Sequence, residues 1–347
     1  MGLFSSKSKS YEVTIQSTGE RIEVDNKTTI LQAALDKGIA YPHRCRVGSC
    51  TSCKTKLVEG KIKELTDTAY VLSMEDIQDG AILACQSIPK CDLTIDVTLG
   101  EAPAEEFEGT ISRVDQLTHD ILGVTVALDR SIYYTAGQYA DVAFEGLDRP
   151  RNYSFAARAL PQGNREIRFH IRKVPGGAFT EWLFAEDRVG AKLQVGGPFG
   201  QFQMHSNEKP MLFIAGGSGL APILSILESA GASDLNRDAI FLFGARTQAD
   251  LYGQAEVHNA TRKWKGDFQF LPVLSHEPQD SDWKGERGLV TDHIASIANI
   301  GQHEAYLCGP PGMIDAAVDH LKESGIADDA IFFDRFTDSS HLLATAK

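Results

Sequence analysis

Four cysteines constrain this chain more than any other feature of its sequence. Three of them stand in the order Cys45-x4-Cys50-x2-Cys53, and Cys85 follows after 31 further residues. Two irons need four thiolates, and a tight loop can supply three while a distant segment supplies the fourth. Gly48 lets the loop backbone wrap closely around such a group. The spacing therefore predicts a [2Fe–2S] cluster held by Cys45, Cys50, Cys53 and Cys85.

A structural zinc site is the alternative for crowded cysteines. Zinc sites favour two closely spaced pairs of ligands, and here only Cys50 and Cys53 form a tight pair. Cys91 lies outside the pattern and is interpreted as a structural thiol. Crowded cysteines suit metal binding better than disulfide bonds, so we expect a reducing, cytoplasmic location.

The charge and the apolar segments exclude several classes of protein. A net charge of −13 over 347 residues argues against a nucleic-acid-binding protein. The longest apolar stretch, Met211–Leu227, is interrupted by glycines and a proline and is a poor transmembrane helix. The start of the chain lacks the apolar region of a secretory signal. Its Gly2–Leu3–Phe4 tip leaves open a contact with a membrane or a membrane-bound partner, although a disordered terminus is the simpler expectation.

The pattern of strands and helices predicts three domains, 1–100, 101–206 and 207–347. In the first, two alternating segments and a short helix at Thr29–Lys37 precede the cysteine loop. Leu99–Phe107 has small residues, proline and glutamates without apolar periodicity, and is predicted to be a linker. Short strands and turns follow, which predicts a small antiparallel barrel. From Lys209 onward strands alternate with helices, which predicts a parallel α/β sheet.

The third predicted domain begins with a strand, a glycine turn and a helix. Gly216, Gly217 and Gly219 form the turn, and a pyrophosphate is expected at the start of the helix because free amides and the helix dipole favour an anion there. The next strand ends in a loop that contains one arginine, Arg246, which is a candidate to bind the ribose or the pyrophosphate. A 2′-phosphate needs a basic cluster, and Asp250 follows instead. We therefore predict a preference for NADH over NADPH; the alternative role for Asp250 is to cap the following helix.

Several motifs resemble known families. The segments CRVGSCTSC and LACQ resemble the ferredoxin domain of bacterial oxygenase reductases. Arg151-Asn152-Tyr153-Ser154 resembles the flavin signature of the ferredoxin–NADP reductase superfamily, and Cys308-Gly309-Pro310 resembles its nicotinamide-side motif. Over nearly the whole chain the sequence resembles reductase components of bacterial multicomponent hydrocarbon oxygenases. That resemblance implies a β-grasp ferredoxin domain of α+β class, an antiparallel β-barrel FAD domain and an α/β NAD domain.

The resemblance also implies roles for individual residues. Arg151 would neutralise the FAD pyrophosphate and Tyr153 would pack on the isoalloxazine. Ser154 would form a hydrogen bond with flavin N5. Cys308 would lie near C4 of the nicotinamide, with Gly309 and Pro310 beside it, so Cys308 and Ser154 are the catalytic candidates. Phe336 is a candidate shield over the flavin face. The remaining flavin candidates form a phosphate-approaching turn and its flanks: Ile171, Lys173, Val174, Gly176, Gly177 and Thr180.

The function implied is transfer of electrons from NADH through FAD to the cluster, and then to a terminal oxygenase. The partner is expected to be of the diiron or Rieske type, bound transiently by a monomeric reductase. A reductase serving a deoxysugar dehydratase or a lipid desaturase has the same layout and is the alternative. A redox-sensing module is the non-enzymatic alternative, but the sequence shows no output element for it.

Overall fold

The computed structural model describes residues 9–37, 39, 41–43, 48, 51–99, 105–205, 207–233 and 235–337. The chain divides into two compact units, and the second spans Glu105–Phe336. No helix among the described residues is long and apolar enough to cross a bilayer.

The first unit is a five-stranded mixed sheet with one helix packed on it. The strand order is β2-β1-β7-β3-β5, with β1 and β7 parallel and the other pairs antiparallel. A two-stranded sheet, β4-β6, lies beside it. The elements are β1 Ser10–Ile15, β2 Arg21–Asp25, α1 Ile30–Asp36, β3 Lys54–Glu59, β4 Ile62–Glu64, α2 Met74–Gln78, β5 Ala81–Leu83, β6 Ser87–Pro89 and β7 Leu93–Asp96.

Local chemistry explains the start of this unit. Val13 and Ile15 alternate with polar residues on β1 and are fully buried, so one face of the hairpin packs into the core. The Thr29 hydroxyl accepts a hydrogen bond from the Gln32 amide and begins α1. Ile30 and Ala34 lie on the buried face of that helix. The strands predicted at Tyr11–Ile15 and Arg21–Val24 and the helix predicted at Thr29–Lys37 are confirmed to within a residue at each end.

The second unit begins with a six-stranded antiparallel barrel, in the order β11-β10-β13-β8-β9-β12. A bridge between Phe155 and Phe169 joins its two edges, which closes the barrel. Both rings are fully buried. The elements are β8 Glu105–Gln116, β9 Ile121–Ile132, β10 Tyr139–Ala143, β11 Arg151–Ser154, β12 Asn164–Arg172, α3 Ala178–Ala185 and β13 Lys192–Phe199.

The rest of this unit is a six-stranded parallel sheet in the order β17-β16-β15-β14-β18-β19. Alternate residues of β14 enter different apolar clusters, Phe213 one and Ile214 the other, so the sheet is covered on both faces. The elements are β14 Met211–Gly216, α4 Leu220–Gly231, β15 Ala239–Ala245, α5 Gln254–Thr261, β16 Phe268–Leu274, β17 Glu286–Arg287, β18 Glu304–Gly309, α6 Pro311–Glu323 and β19 Ile331–Arg335.

The structure corrects two sequence interpretations. The predicted linker Leu99–Phe107 is wrong from Glu105 onward, because β8 already begins there and pairs with β13. Strand β13 itself was not predicted, since its glycines and proline do not alternate with apolar residues. Both errors have one cause: the pairing partners lie about ninety residues apart in sequence, beyond any local pattern.

Candidate functional site

The cluster pocket is formed where β3 and β5 come together. Cys53 directly precedes β3, and Cys85 lies in the turn after β5; their side chains are 2% and 3% exposed. The Ala84 amide donates to the Cys53 carbonyl at 3.1 Å, which holds the two segments side by side. Cys45 and Cys50 lie outside the described residues. Two buried thiols brought together from distant segments fit the predicted [2Fe–2S] cluster.

Gly48 lies close against Gln86 at this pocket. Gly48 has φ +77°, and a Cβ there would lie 2.7 Å from Cγ of Gln86 and 3.2 Å from the Thr66 hydroxyl. Gln86 follows the ligand candidate Cys85 and places its amide nitrogen 3.7 Å from the Cys85 sulfur. A side chain at position 48 would therefore displace Gln86, whose amide contacts the sulfur of this ligand candidate.

A buried hydroxyl pair supports the same pocket, and sequence reasoning missed it. The Thr55 hydroxyl donates to the Cys53 carbonyl at 3.1 Å and lies 2.6 Å from the Tyr41 hydroxyl, which must then donate to it. Burial raises the pKa of Tyr41, and the charges of Cys53 and Cys85 raise it further. Tyr41 thus remains a neutral donor. Cys91 is half-buried and accepts from the Lys61 amide at 3.1 Å, consistent with a structural thiol.

The flavin candidates on β11 lie along the barrel wall. Ser154 is 6% exposed, and Tyr153 is half-buried with its ring 5.2 Å from that of Phe179. Burial raises the pKa of the Tyr153 phenol, so it stays protonated. Arg151 donates to Asp148 at 2.8 Å, a pair on the protein surface. A pyrophosphate would have to compete with Asp148 for that guanidinium.

The turn between β12 and α3 has the geometry expected of a phosphate-approaching loop. Gly176 has φ +70°, and a Cβ there would meet no atom within 4 Å. A Cβ on Gly177, in contrast, would lie 2.8 Å from the Thr180 hydroxyl. That hydroxyl accepts from the Val174 amide at 3.1 Å and donates to the Val174 carbonyl at 3.0 Å. Thr180 therefore closes the turn itself, and its place among the flavin-binding candidates stays a prediction.

The two flanks of this turn differ. Ile171 is 1% exposed and belongs to the barrel core, so its side chain is a packing residue. Lys173 lies 3.9 Å from Glu181 and 5.7 Å from the Phe184 ring centre, on the protein surface. Of these two, Lys173 keeps a charge available to a phosphate.

The glycine turn after β14 fits closely against the end of β18. A Cβ on Gly219 would lie 2.2 Å from the Cys308 carbonyl oxygen, and one on Gly216 would lie 2.7 Å from the Met313 sulfur. Cys308 is fully buried, and β14 pairs with β18 up to Ala215 and Cys308. Only glycine permits this approach, as a strand–turn–helix dinucleotide site requires.

Gly309, Pro310 and Phe336 complete this edge. Gly309 has φ +155°, and its carbonyl accepts from the Phe336 amide at 2.8 Å. Pro310 precedes α6 as its N-cap residue. Phe336 is half-buried and packs against the same apolar cluster as Cys308. The structure thus brings the predicted nicotinamide-side residues together at the carboxyl edge of the sheet.

A cleft of about 290 Å³ opens beside the glycine turn. Its lining comes from both lobes of the second unit, which are the barrel and the parallel-sheet domain. The lining residues are Thr118, Asp120, Ile121, Arg172, Gly216, Gly217, Gly244, Ala245, Arg246, Asp250, Val273, Ser275, Gly288, Leu289, Val290, Pro310 and Met313. Arg172 and Asp120 come from the barrel and were missed by sequence reasoning. The barrel motif IRKVPGG draws attention to its glycines, but nothing in it shows that Arg172 faces the other lobe.

A buried pair of rings joins the two lobes beneath this cleft. The Tyr252 hydroxyl donates to the Gly217 carbonyl at 3.1 Å and lies 3.3 Å from Nδ1 of His170 on β12. Since the phenol has one proton, the contact requires that Nδ1 of His170 carries a hydrogen and donates it. Burial, and then the charge of Arg168, lower the pKa of His170 to about 3. The neutral pair thus fixes the carbonyl of the glycine turn from the barrel side.

Comparison with protein families confirms the three cofactor predictions. Residues 13–90 match the 2Fe-2S iron-sulfur cluster binding domain, residues 108–204 the oxidoreductase FAD-binding domain, and residues 213–319 the oxidoreductase NAD-binding domain. The fold class and the prediction of an oxidoreductase are confirmed with them. The sequence spacing had therefore separated an iron–sulfur cluster from zinc correctly.

Individual relatives cover the chain almost completely. The xylene/toluene monooxygenase electron transfer component of Pseudomonas putida is 44% identical over 93% of each chain. The naphthalene 1,2-dioxygenase system reductase component of Pseudomonas putida is 33% identical and covers 94% of this chain and 98% of its own. Among solved structures, a cytochrome P450 reductase from Amycolatopsis matches with a TM-score of 0.75 at 29% identity, covering 94% of this chain and 99% of its own.

Proposed function

Because the chain belongs to the family of reductase components of bacterial multicomponent oxygenases, we propose that it delivers electrons from NADH to a terminal oxygenase of the diiron or Rieske type. The contact with that oxygenase is transient, since a shuttle must release its partner after each transfer. We further propose that the reductase is a cytoplasmic monomer divided at 1–100, 101–206 and 207–347. The Gly2–Leu3–Phe4 tip, a possible membrane contact in the sequence, lies outside the described residues.

The observation that carries the proposal is the junction of barrel and parallel sheet around one cleft. Arg172 of the barrel and Gly217 of the glycine turn line the same cavity, next to Cys308. When bound, FAD accepts a hydride from NADH and returns the electrons singly, which lets a one-electron cluster follow it. The protein's part would be to hold the flavin and the nicotinamide together at this junction and to exclude water.

We propose the following parts for this chain's own residues. Cys308, at the buried end of β18, bounds the nicotinamide, and Ser154 holds the flavin edge from β11. Arg151 and Lys173 supply charge to the FAD phosphates, and Arg246 supplies it to the NADH ribose side. The glycine-turn amides receive the dinucleotide pyrophosphate because the helix dipole of α4 favours an anion there.

Reconstitution tests this proposal. The purified protein, NADH and the hydroxylase component of the Pseudomonas putida xylene/toluene monooxygenase are combined, and NADH consumption is compared with hydroxylated product. We expect coupled turnover, and cytochrome c reduction when the hydroxylase is replaced by that acceptor. Cytochrome c reduction without coupling to any oxygenase, and coupling instead to a desaturase or a deoxysugar dehydratase, would overturn the oxygenase assignment.

A further inference from the structure

Asp120 occupies an unusual position at the mouth of the dinucleotide cleft. It lies in the turn between β8 and β9, and its Oδ2 atom accepts from Arg172 Nε at 3.0 Å and from Arg246 at 3.3 Å. Arg172 belongs to the barrel and Arg246 to the loop after β15. One carboxylate oxygen therefore holds the two arginines that line the cleft, one from each lobe.

Arg246 has a second carboxylate beside it. Asp250 Oδ1 accepts from the same guanidinium nitrogen at 2.8 Å. The cations that the described part of the chain contributes to the cleft lining, Arg172 and Arg246, are thus matched by the two carboxylates of Asp120 and Asp250. Together these four side chains have no net charge, so they offer no excess positive charge to a further dianion.

The state of Asp120 supports this arrangement. Partial burial opposes ionisation, but the hydrogen bond from Thr118 and the charge of Arg172 hold the pKa of Asp120 below its usual value. The side chain is 18% exposed, so solvent screens its ion pairs only in part. Asp120 is therefore a fixed negative charge of the cleft at neutral pH.

We propose that Asp120 is a coenzyme-specificity residue, which excludes NADPH by occupying Arg172 and Arg246. The 2′-phosphate of NADPH is a dianion that needs free guanidinium groups. NADH carries only the pyrophosphate, which the glycine-turn amides receive. This inference rests on the proposed function, because it presumes that the cleft binds a nicotinamide dinucleotide.

Asp120→Asn separates the hydrogen bond that Asp120 forms with Thr118 from its ion pairs with the two arginines. Asn keeps the Oδ1 atom, which accepts from the Thr118 hydroxyl at 2.9 Å. It replaces Oδ2, the acceptor of both arginines, by an amide that cannot accept from them. Asp250 is the poorer target because its Oδ2 accepts from the Thr247 amide and hydroxyl and closes a turn.

The experiment measures kcat/KM for NADH and NADPH in one buffer, with flavin reduction as the signal. In Asp120→Asn, the NADPH to NADH ratio should rise about fivefold, mainly through KM, since a partly exposed ion pair is worth at most ~1 kcal/mol. Asp115→Asn is the matched control: Asp115 pairs with Arg113 on the same barrel, is 25% exposed and does not line the cleft. In Asp115→Asn, the ratio of kcat/KM for NADPH to that for NADH should not change.

Two further variants test the proposal without relying on the single substitution Asp120→Asn. Adding Arg246→Ala to Asp120→Asn should remove most of the gain, because Arg246, which then keeps only Asp250 as its carboxylate partner, supplies charge that the phosphate needs. Arg246→Ala alone should lower kcat/KM for both coenzymes together, because the proposed ribose contact is common to them. It should change their ratio less than twofold, since Asp120 and Asp250 already pair with Arg246. Flavin difference spectra measure the binding of NAD⁺ and NADP⁺. The ratio of their affinities should rank the variants in the same order as the ratio of kcat/KM.

The outcomes separate this inference from the proposed function. A ratio unchanged in Asp120→Asn, or both coenzymes weakened alike, would show that Asp120 only braces the two lobes. A loss of NADPH turnover in Arg246→Ala alone that is much larger than its loss of NADH turnover would also overturn the inference, because Arg246 would then already be available to the 2′-phosphate. If the unmodified protein reduces its flavin with neither coenzyme, the proposed function itself fails.

Discussion

Replacing Gly219 by alanine should disrupt hydride transfer through backbone geometry alone. The new Cβ would lie 2.2 Å from the Cys308 carbonyl oxygen, 2.5 Å from its carbonyl carbon and 2.9 Å from the Gly309 nitrogen. All three atoms belong to the backbone, so no side chain can rotate away. A carbon–oxygen contact normally lies at about 3.3 Å, and the turn and the end of β18 must therefore separate by about 1 Å.

That separation acts where the nicotinamide is expected to lie. A misplacement of about 1 Å between reacting groups lowers a rate on the order of 100-fold. Overpacking should destabilise the fold by about 1–3 kcal/mol. Stopped-flow reduction of the flavin by NADH measures the rate, and the cluster absorbance reports whether the first unit is intact.

Gly312→Ala is the matched control, since it makes the same substitution in the same lobe. Gly312 lies in α6, and a Cβ there would meet no atom within 4 Å. Alanine is favoured over glycine in a helix by about 1 kcal/mol, so the rate should be unchanged and the stability equal or higher. A folded Gly219→Ala protein that reduces its flavin at the unaltered rate would refute the claim that the glycine turn and Cys308 are tightly coupled.

Three other predictions concern single side chains. Cys53→Ser should remove the visible absorbance of the cluster and leave flavin reduction by NADH intact; loss of both would contradict separate binding of the two groups. Cys308→Ala should slow hydride transfer tenfold or more, about 1.4 kcal/mol of barrier, with NADH binding changed less than twofold, and an unchanged rate would remove Cys308 from the reaction. Because the pKa of His170 is lowered from 6.5 to about 3, the unfolded chain binds more protons between those values, and stability should fall as the pH drops through that window. Between about pH 7.5 and about pH 5, this difference should lower the free energy of unfolding by about 2 kcal/mol. Urea unfolding should show this loss in the surface control His320→Gln and not in His170→Gln.

The sequence predicts best where chemistry imposes a short spacing. The cysteine spacing identified the cluster, and the strand–glycine–helix pattern identified the NAD-binding domain, because each ligand must be held by a few neighbouring residues. Thr180 shows the limit of such reasoning. Its position at a helix start is visible in the sequence, but the partner of its hydroxyl, the Val174 backbone, depends on how the turn closes.

Residues that act across the two lobes could not be predicted in this way. Asp120 and Arg246 are separated by 126 residues, and Gly217 is nearly a hundred residues from the early barrel residues Thr118, Asp120 and Ile121 that line the same cleft. Their meeting depends on barrel closure and on the docking of β12 against the glycine turn, both of which are non-local. Tyr41 was missed for a related reason, since only the fold places its hydroxyl on Thr55 and hence beside Cys53.

Strand β12 shows why flavin and nicotinamide chemistry must be treated as one site in this protein. Ile171 packs into the barrel core, His170 contacts Tyr252 beneath the glycine turn, and Arg172 reaches the cleft. Three consecutive residues thus connect the barrel interior to the opposite lobe. A shift of β12 caused by a change in the flavin barrel would move all three together, so substitutions that perturb flavin packing should alter NADH turnover even where they touch no residue of the dinucleotide cleft.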